Sequence, residues 1–190
     1  MAHFTDQFVF QVQIPQDDIV PIESISTLPP DAVQRCQEVF QVTPKDLQLK
    51  VAEFIGGGQD CILIAGCGWG KTLVYFLPLV LWTTRVIVII SPLKAIMQEQ
   101  RMKLQSLGIS SISFEKDVPT GNNVIRDVAG GKYRAVFLTP EMIFKSKALT
   151  PLWSNKSWKR RLQAVVLDEA HCVSTWGPEF REDYYRIGEL

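Results

Sequence analysis

The sequence predicts an α/β domain in which a mostly parallel central sheet is covered by helices on both faces. Three observations carry that expectation. Short, largely apolar runs recur along the chain: CILIA (61–65), VIVII (86–90), SISF (111–114), AVFL (135–138) and AVVL (164–167). Segments with helical spacing separate them. Most of the runs are continuous rather than alternating, as expected of strands buried on both faces.

Taken in order, residues 1–30 read as an N-terminal extension. Phe8, Phe10, Val12 and Ile14 alternate like a strand, and Pro15, Pro21 and Pro29-Pro30 break any longer element. Residues 31–190 form the single domain. Asp31 is placed to cap a helix through Phe40. Thr43 is expected to cap a second helix, TPKDLQLKVAEFI, with Pro44 at its first position and Gly56-Gly57-Gly58 at its end. CILIA leads into a glycine loop and a helix from about Lys71. VIVII leads into SPLKAIMQEQRMKLQSLG, where Leu93, Ile96, Met97, Gln100, Leu104 and Leu107 share one helical face.

Composition bounds the function. A chain of 190 residues suits one packed domain, and 46% hydrophobic residues exclude overall disorder. Lys+Arg and Asp+Glu are both 20, so no global basic field marks a nucleic-acid binder, although a local patch suffices. Cys36, Cys61, Cys67 and Cys172 are scattered, without the pairing of a zinc site or disulfide frame. The acidic start lacks the pattern of a secretory signal, and Leu73–Leu81 is short and interrupted by Pro78. These features predict a soluble intracellular protein, cytosolic or nuclear, with no membrane partner.

Two motifs carry chemistry. In LIAGCGWGKTLVYF (63–76), a strand-like run, a glycine turn, Lys-Thr and a helix follow one another, the context of a phosphate-binding loop. Backbone N–H groups around Gly66, Gly68 and Gly70, with the helix N-terminus, favour an anion. Lys71 is placed to reach the β- and γ-phosphates of ATP, and the Thr72 hydroxyl to meet Mg²⁺. In AVVLDEAH (164–171), Asp168 and Glu169 follow an apolar strand, where α/β folds put their ligand crevice. Asp168 suits a hydrated Mg²⁺, and Glu169 suits polarising the attacking water. Alone, either motif is compatible with a plain glycine-rich or acidic turn; joined, they point to a nucleotide site.

With these motifs, DEAHCVSTWGPEFREDYYRIGEL (168–190) resembles the Walker B motif and aromatic-rich loop of RecQ-family DNA helicases in superfamily 2. The resemblance covers about residues 33–190, with AGCGWGKTLVYFLPLV, VIVIISPLKAIMQEQ and AVFLTPEMI as further motifs. It implies a RecA-like P-loop NTPase domain, the first motor domain of an ATP-dependent 3′-5′ helicase. Ala65, where many phosphate loops begin with glycine, is usual in that superfamily.

By position the resemblance makes Gln48 an adenine reader and puts Lys45 near the base. Pro44 stands at the family's stacking phenylalanine, leaving Phe40 as a possible substitute. His171 would couple nucleotide to DNA, and Trp176, Phe180 and Arg181 would contact single-stranded DNA. Ser91 and Thr139, in the turns after two strands, would face DNA phosphates. The basic run KSKALTPLWSNKSWKRR (145–161) would extend that surface, or form an ordinary solvated face.

The resemblance also implies a second RecA-like domain, which supplies an arginine finger and is not recognisable in these 190 residues. The partner expected is DNA, single-stranded or at a single/double-strand junction. The expectation for this chain is therefore weak nucleotide binding with very slow hydrolysis. The alternative is a truncated helicase-like module that binds nucleotide, DNA or a partner without turnover.

Overall fold

The computed structural model describes residues 28–114 and 122–170. The alternating segment at 8–14 and the aromatic-rich loop from residue 171 onward lie outside them.

Helix α1 (Ala32–Phe40) follows Asp31, whose carboxylate accepts from Arg35 Nε at 2.9 Å rather than from the helix backbone. Helix α2 (Asp46–Gly56) begins later than the Thr-Pro signal predicts. The Gln48 side chain fixes this start by accepting from Lys45 N at 2.8 Å, while Thr43 Oγ1 accepts from Gln37 instead. Helix α3 (Lys71–Leu81) is apolar almost all round and runs through Pro78. Such a helix must be covered on several sides. Its Phe76 and Leu79 face the sheet, and its Leu77, Val80 and Leu81 pack against Ala32, Cys36 and Ala52 of α1 and α2.

Strand β1 (Val86–Ile90) is followed by α4 (Lys94–Ser106), β2 (Ser111–Phe114) and α5 (Asn122–Ala129). Strand β3 (Ala135–Leu138) then leads through three short helices, α6 (Pro140–Lys145), α7 (Thr150–Trp153) and α8 (Lys156–Arg161), into β4 (Leu162–Leu167). The sheet is parallel throughout, in the order β2-β3-β1-β4. Side chains alternate along each strand, so β1 serves two cores at once. Val86, Val88 and Ile90 meet Val128, Ile143, Leu149, Leu152 and Trp158 from α5–α8. Ile87 and Ile89 meet Phe76, Leu79, Met97 and Leu104 from α3 and α4. The fold is thus the predicted doubly covered parallel sheet.

One predicted strand is absent. CILIA (61–65) has no ladder partner, and Ile62 and Ile64 are 44% and 58% exposed. A strand needs a neighbour for its N–H and C=O groups. Strand β4 forms its ladder with β1 alone, and among the described residues nothing bonds to its outer edge. Leu63 nevertheless packs with Ala164 of β4 into the cluster of Val51, Ile55 and Val74. The segment therefore keeps its place beside the sheet without joining it.

Two polar side chains tie the loop-bearing helices to the sheet. Gln163 Nε2 donates to Ile55 O at 2.7 Å, capping the end of α2. Arg134 donates to Leu79 O, Trp82 O and Arg85 O, satisfying carbonyls that the end of α3 leaves free. Gly56 sits directly under the Trp82 ring, where a methyl group would collide with the indole. Gly56→Ala is expected to destabilise the fold by about 1–3 kcal/mol through overpacking, a loss read as a lower urea midpoint with unchanged slope.

Candidate nucleotide site

The parallel topology brings the C-terminal ends of β1, β3 and β4 to one edge, at Ser91, Thr139 and Asp168. The crevice of a parallel α/β sheet lies at that edge. Asp168 N extends the ladder by donating to Ile90 O at 2.9 Å. The glycine loop enters the same region because α3 packs on the sheet face that carries Ile87 and Ile89.

The loop's conformation requires glycine at two places. Gly68 and Gly70 have φ of +74° and +98°, in the left-handed region that side chains avoid. A Cβ on Gly70 would also lie 2.7 Å from Gln48 Nε2. By contrast, a Cβ on Gly66 or Gly68 would meet nothing within 4 Å, so the loop leaves open space beside its backbone. Gly70 caps α3 without a side chain, leaving the first N–H groups of the helix free for an anion. Lys71 Nζ donates to Ala65 O at 2.9 Å and Gly66 O at 3.4 Å, folding back over the loop's own carbonyls.

Gln48 and Lys45 brace the loop from outside. Gln48 Nε2 donates to Gly70 O at 3.1 Å, and its other amide atom accepts from Lys45 N. Lys45 Nζ donates to Trp69 O at 2.9 Å and lies 4.9 Å from the Trp69 ring centroid. Trp69, an unusual residue in such a turn, folds back against Val51, Ile55 and Val74. Phe40 is committed elsewhere, its ring stacked on Phe76 with centroids 6.3 Å apart.

The two chemical motifs converge on one hydroxyl. Tyr75, one turn into α3, donates to Asp168 Oδ2 at 3.1 Å and also interacts with the Thr72 side chain. Gln100 of α4 donates to the same carboxylate oxygen at 3.3 Å and to Tyr75 Oη at 3.0 Å. Tyr75, Gln100 and Asp168 are 5%, 8% and 9% exposed. Burial pushes the Tyr75 hydroxyl well above its ordinary pKa, and the Asp168 charge pushes it further, so it remains a donor. Asp168 Oδ1 accepts from Glu169 N at 3.1 Å. Glu169 has φ of +52°, a conformation costing a non-glycine residue about 1–3 kcal/mol.

Ser91 and Thr139 are buried at the strand ends. Ser91 N donates to Leu138 O, while its hydroxyl is buried without a partner. Thr139 caps α6 without a side-chain bond. His171, Trp176, Phe180 and Arg181 lie outside the described residues. Tyr75 and Gln100 are the site residues that sequence reasoning missed. A glutamine on the otherwise apolar face of α4 was the available signal, because a buried amide needs partners.

Thr72 and Asp168 fit a magnesium ion by donor chemistry. Both offer hard oxygens, Thr72 at the start of α3 and Asp168 at the end of β4, where it accepts from Tyr75 of the same helix α3. Among the described residues no group of three or more His, Cys, Asp or Glu gathers as a dedicated metal cage.

Comparison with known proteins gives the family. The DEAD/DEAH box helicase family profile matches residues 45–190. The chain is 34% identical over 137 residues to the RecQ-like DNA helicase blm-1 of Caenorhabditis elegans, covering 70% of this chain and 14% of that protein. It is 29% identical over 196 residues to the ATP-dependent helicase wrn-1 of the same organism, covering 98% of this chain and 17% of that protein. A crystal structure of the DUF1998 helicase MrfA bound to DNA and AMPPNP superposes with a TM-score of 0.61 at 20% identity, covering 80% of this chain and 23% of that one. That last likeness speaks for the fold. The chain thus spans less than a fifth of the two worm relatives, and it belongs to the DEAD/DEAH box helicase family, on its RecQ-like branch, as an N-terminal motor domain.

Proposed function

We propose that the chain binds Mg-ATP as the first half of an ATP-dependent DNA helicase motor. One observation carries the reading: the Tyr75 hydroxyl, on the helix that begins at the glycine loop, donates to Asp168 Oδ2 at the acidic strand end at 3.1 Å. Lys71 exchanges its bonds to Ala65 and Gly66 carbonyls for phosphate oxygens, a stronger charge-assisted contact. Free N–H groups at the start of α3 hold the same phosphates. Thr72 and Asp168 would hold the ion, which would supply positive charge against the phosphates when bound. Glu169 orients the attacking water. Gln48 and Lys45 would meet the base edge only by giving up contacts with which they brace the loop.

DNA is the proposed partner. His171, Trp176, Phe180 and Arg181 would meet a single strand by stacking and phosphate pairing, and the turns at Ser91 and Thr139 would face its backbone. Translocation from 3′ to 5′, action at strand junctions, a nuclear location and closure by a second RecA-like domain belong to the same proposal.

A second reading, binding without turnover, is favoured by a specific feature. Gln48 is 3% exposed, with both amide atoms engaged in bracing the loop. Steady-state hydrolysis by the 190-residue chain with single-stranded DNA separates the readings. The motor reading expects turnover on the order of 10⁻³ s⁻¹, the range of a phosphate-loop site without its arginine finger. Mg-ATP binding with no hydrolysis at all favours the second reading. Stimulated turnover above about 1 s⁻¹ contradicts the need for a second domain.

A further inference from the structure

We infer that Tyr75 and Gln100 are positioning residues that aim the Asp168 carboxylate at the magnesium ion, an inference that rests on the nucleotide site proposed above. Both donors converge on Oδ2, at 3.1 and 3.3 Å, while Oδ1 accepts from Glu169 N. The carboxylate is thus held from two sides, and its plane is set before any ligand arrives. The donors also bond to each other, Gln100 Nε2 to Tyr75 Oη at 3.0 Å, so neither can swing away alone.

A cluster that served packing alone would satisfy its own members. This one does not. Gln100 Oε1 is buried without a partner. Flipping the amide would not help, because it would turn the oxygen toward the Asp168 carboxylate. The side chain therefore keeps its N–H₂ on Asp168 and leaves its oxygen orphaned, a choice that leucine on the same apolar face would avoid. The three groups also come from separate elements: α3, which begins at the phosphate loop; α4, which follows the Ser91-Pro92 turn; and the end of β4. Outer-shell groups of this kind orient the ligands that touch a metal, and their loss typically weakens metal binding or activity about 10- to 100-fold.

The test compares ADP affinity with Mg²⁺ and with EDTA for the 190-residue chain, Tyr75→Phe and Gln100→Leu. Tyr75→Phe keeps the ring and its edge-on contact with Phe76, whose centroid is 5.3 Å away. The expected result is that the tightening of ADP by Mg²⁺ falls at least about tenfold in each variant. Affinity in EDTA should stay within about twofold, since Lys71 and the helix N-terminus hold the phosphates without the ion. A Mg²⁺ effect unchanged in Tyr75→Phe would overturn the inference, whatever happens to thermal stability. If Gln100→Leu does not fold, Tyr75→Phe carries the test by itself. Failure of the parent chain to bind ADP under either condition would instead sink the nucleotide site, and the inference with it.

Discussion

Lys71→Ala is expected to weaken ATP binding by about 10- to 100-fold, because a charge-assisted hydrogen bond to phosphate contributes about 1.5–3 kcal/mol. The loss should be smaller for AMP, which lacks the β- and γ-phosphates that the side chain is placed to reach. Lys71→Arg should recover only part of the affinity. A planar fork does not reproduce a compact ammonium on a flexible stem. In the present loop Lys71 also bonds to Ala65 O and Gly66 O, so alanine removes an internal partner that the phosphates must displace. The loop should become more open but less retentive. Calorimetric titrations of ATP and AMP into both variants check this, and unchanged ATP affinity in Lys71→Ala would remove the phosphate loop from the account.

Trp158→Ala carries the largest expected effect on stability, a loss of about 3–5 kcal/mol. The indole is fully buried where α8 meets the core formed by β1, β3, α5, α6 and α7. Asn155 caps α8 by accepting from Trp158 N at 3.0 Å, so the same residue anchors both backbone and side chain. Against a total stability of about 5–15 kcal/mol, such a cavity brings the domain close to unfolding at physiological temperature. Trp158→Phe should recover most of the loss, partly because the indole Nε1 is itself buried without a partner. Urea unfolding of the two variants measures the difference.

The parallel sheet was legible because VIVII and AVFL are buried on both faces, and burial on both faces writes itself as an uninterrupted apolar run. The same reasoning failed at CILIA, which has the composition of a strand but lacks a neighbour to complete its ladder. Composition reports what a segment can bury, whereas pairing depends on which edge the rest of the chain leaves open. The basic run at 145–161 carries two signals at once: its lysines are exposed, and they are interleaved with Leu149, Leu152 and Trp158, which are among the most buried residues of the domain. At the site, Lys71, Thr72 and Asp168 were singled out from motif spacing, and the structure links the helix that begins with Lys71 and Thr72 to Asp168 through Tyr75. Tyr75 was not. It sits among apolar neighbours on α3, and only the return of β4 across the sheet shows that its hydroxyl meets a carboxylate 93 positions away in sequence.

Trp69, inside the glycine turn, lies half-buried against α2 and α3 beneath Lys45, bracing the loop with the help of Gln48.

The most direct test of the nucleotide site is the thermal stability of the 190-residue chain in Mg-ADP, in ADP with EDTA, and in magnesium alone. A ligand at 100 times its dissociation constant stabilises the folded state by about 2.7 kcal/mol, which for a domain of this size raises Tm by about 5–10 °C. The account predicts that rise in Mg-ADP, a smaller one in ADP with EDTA, and none in magnesium alone, since Thr72 and Asp168 need the phosphates to complete the ion's shell. A folded chain whose Tm stays the same in all three conditions at millimolar nucleotide would contradict it.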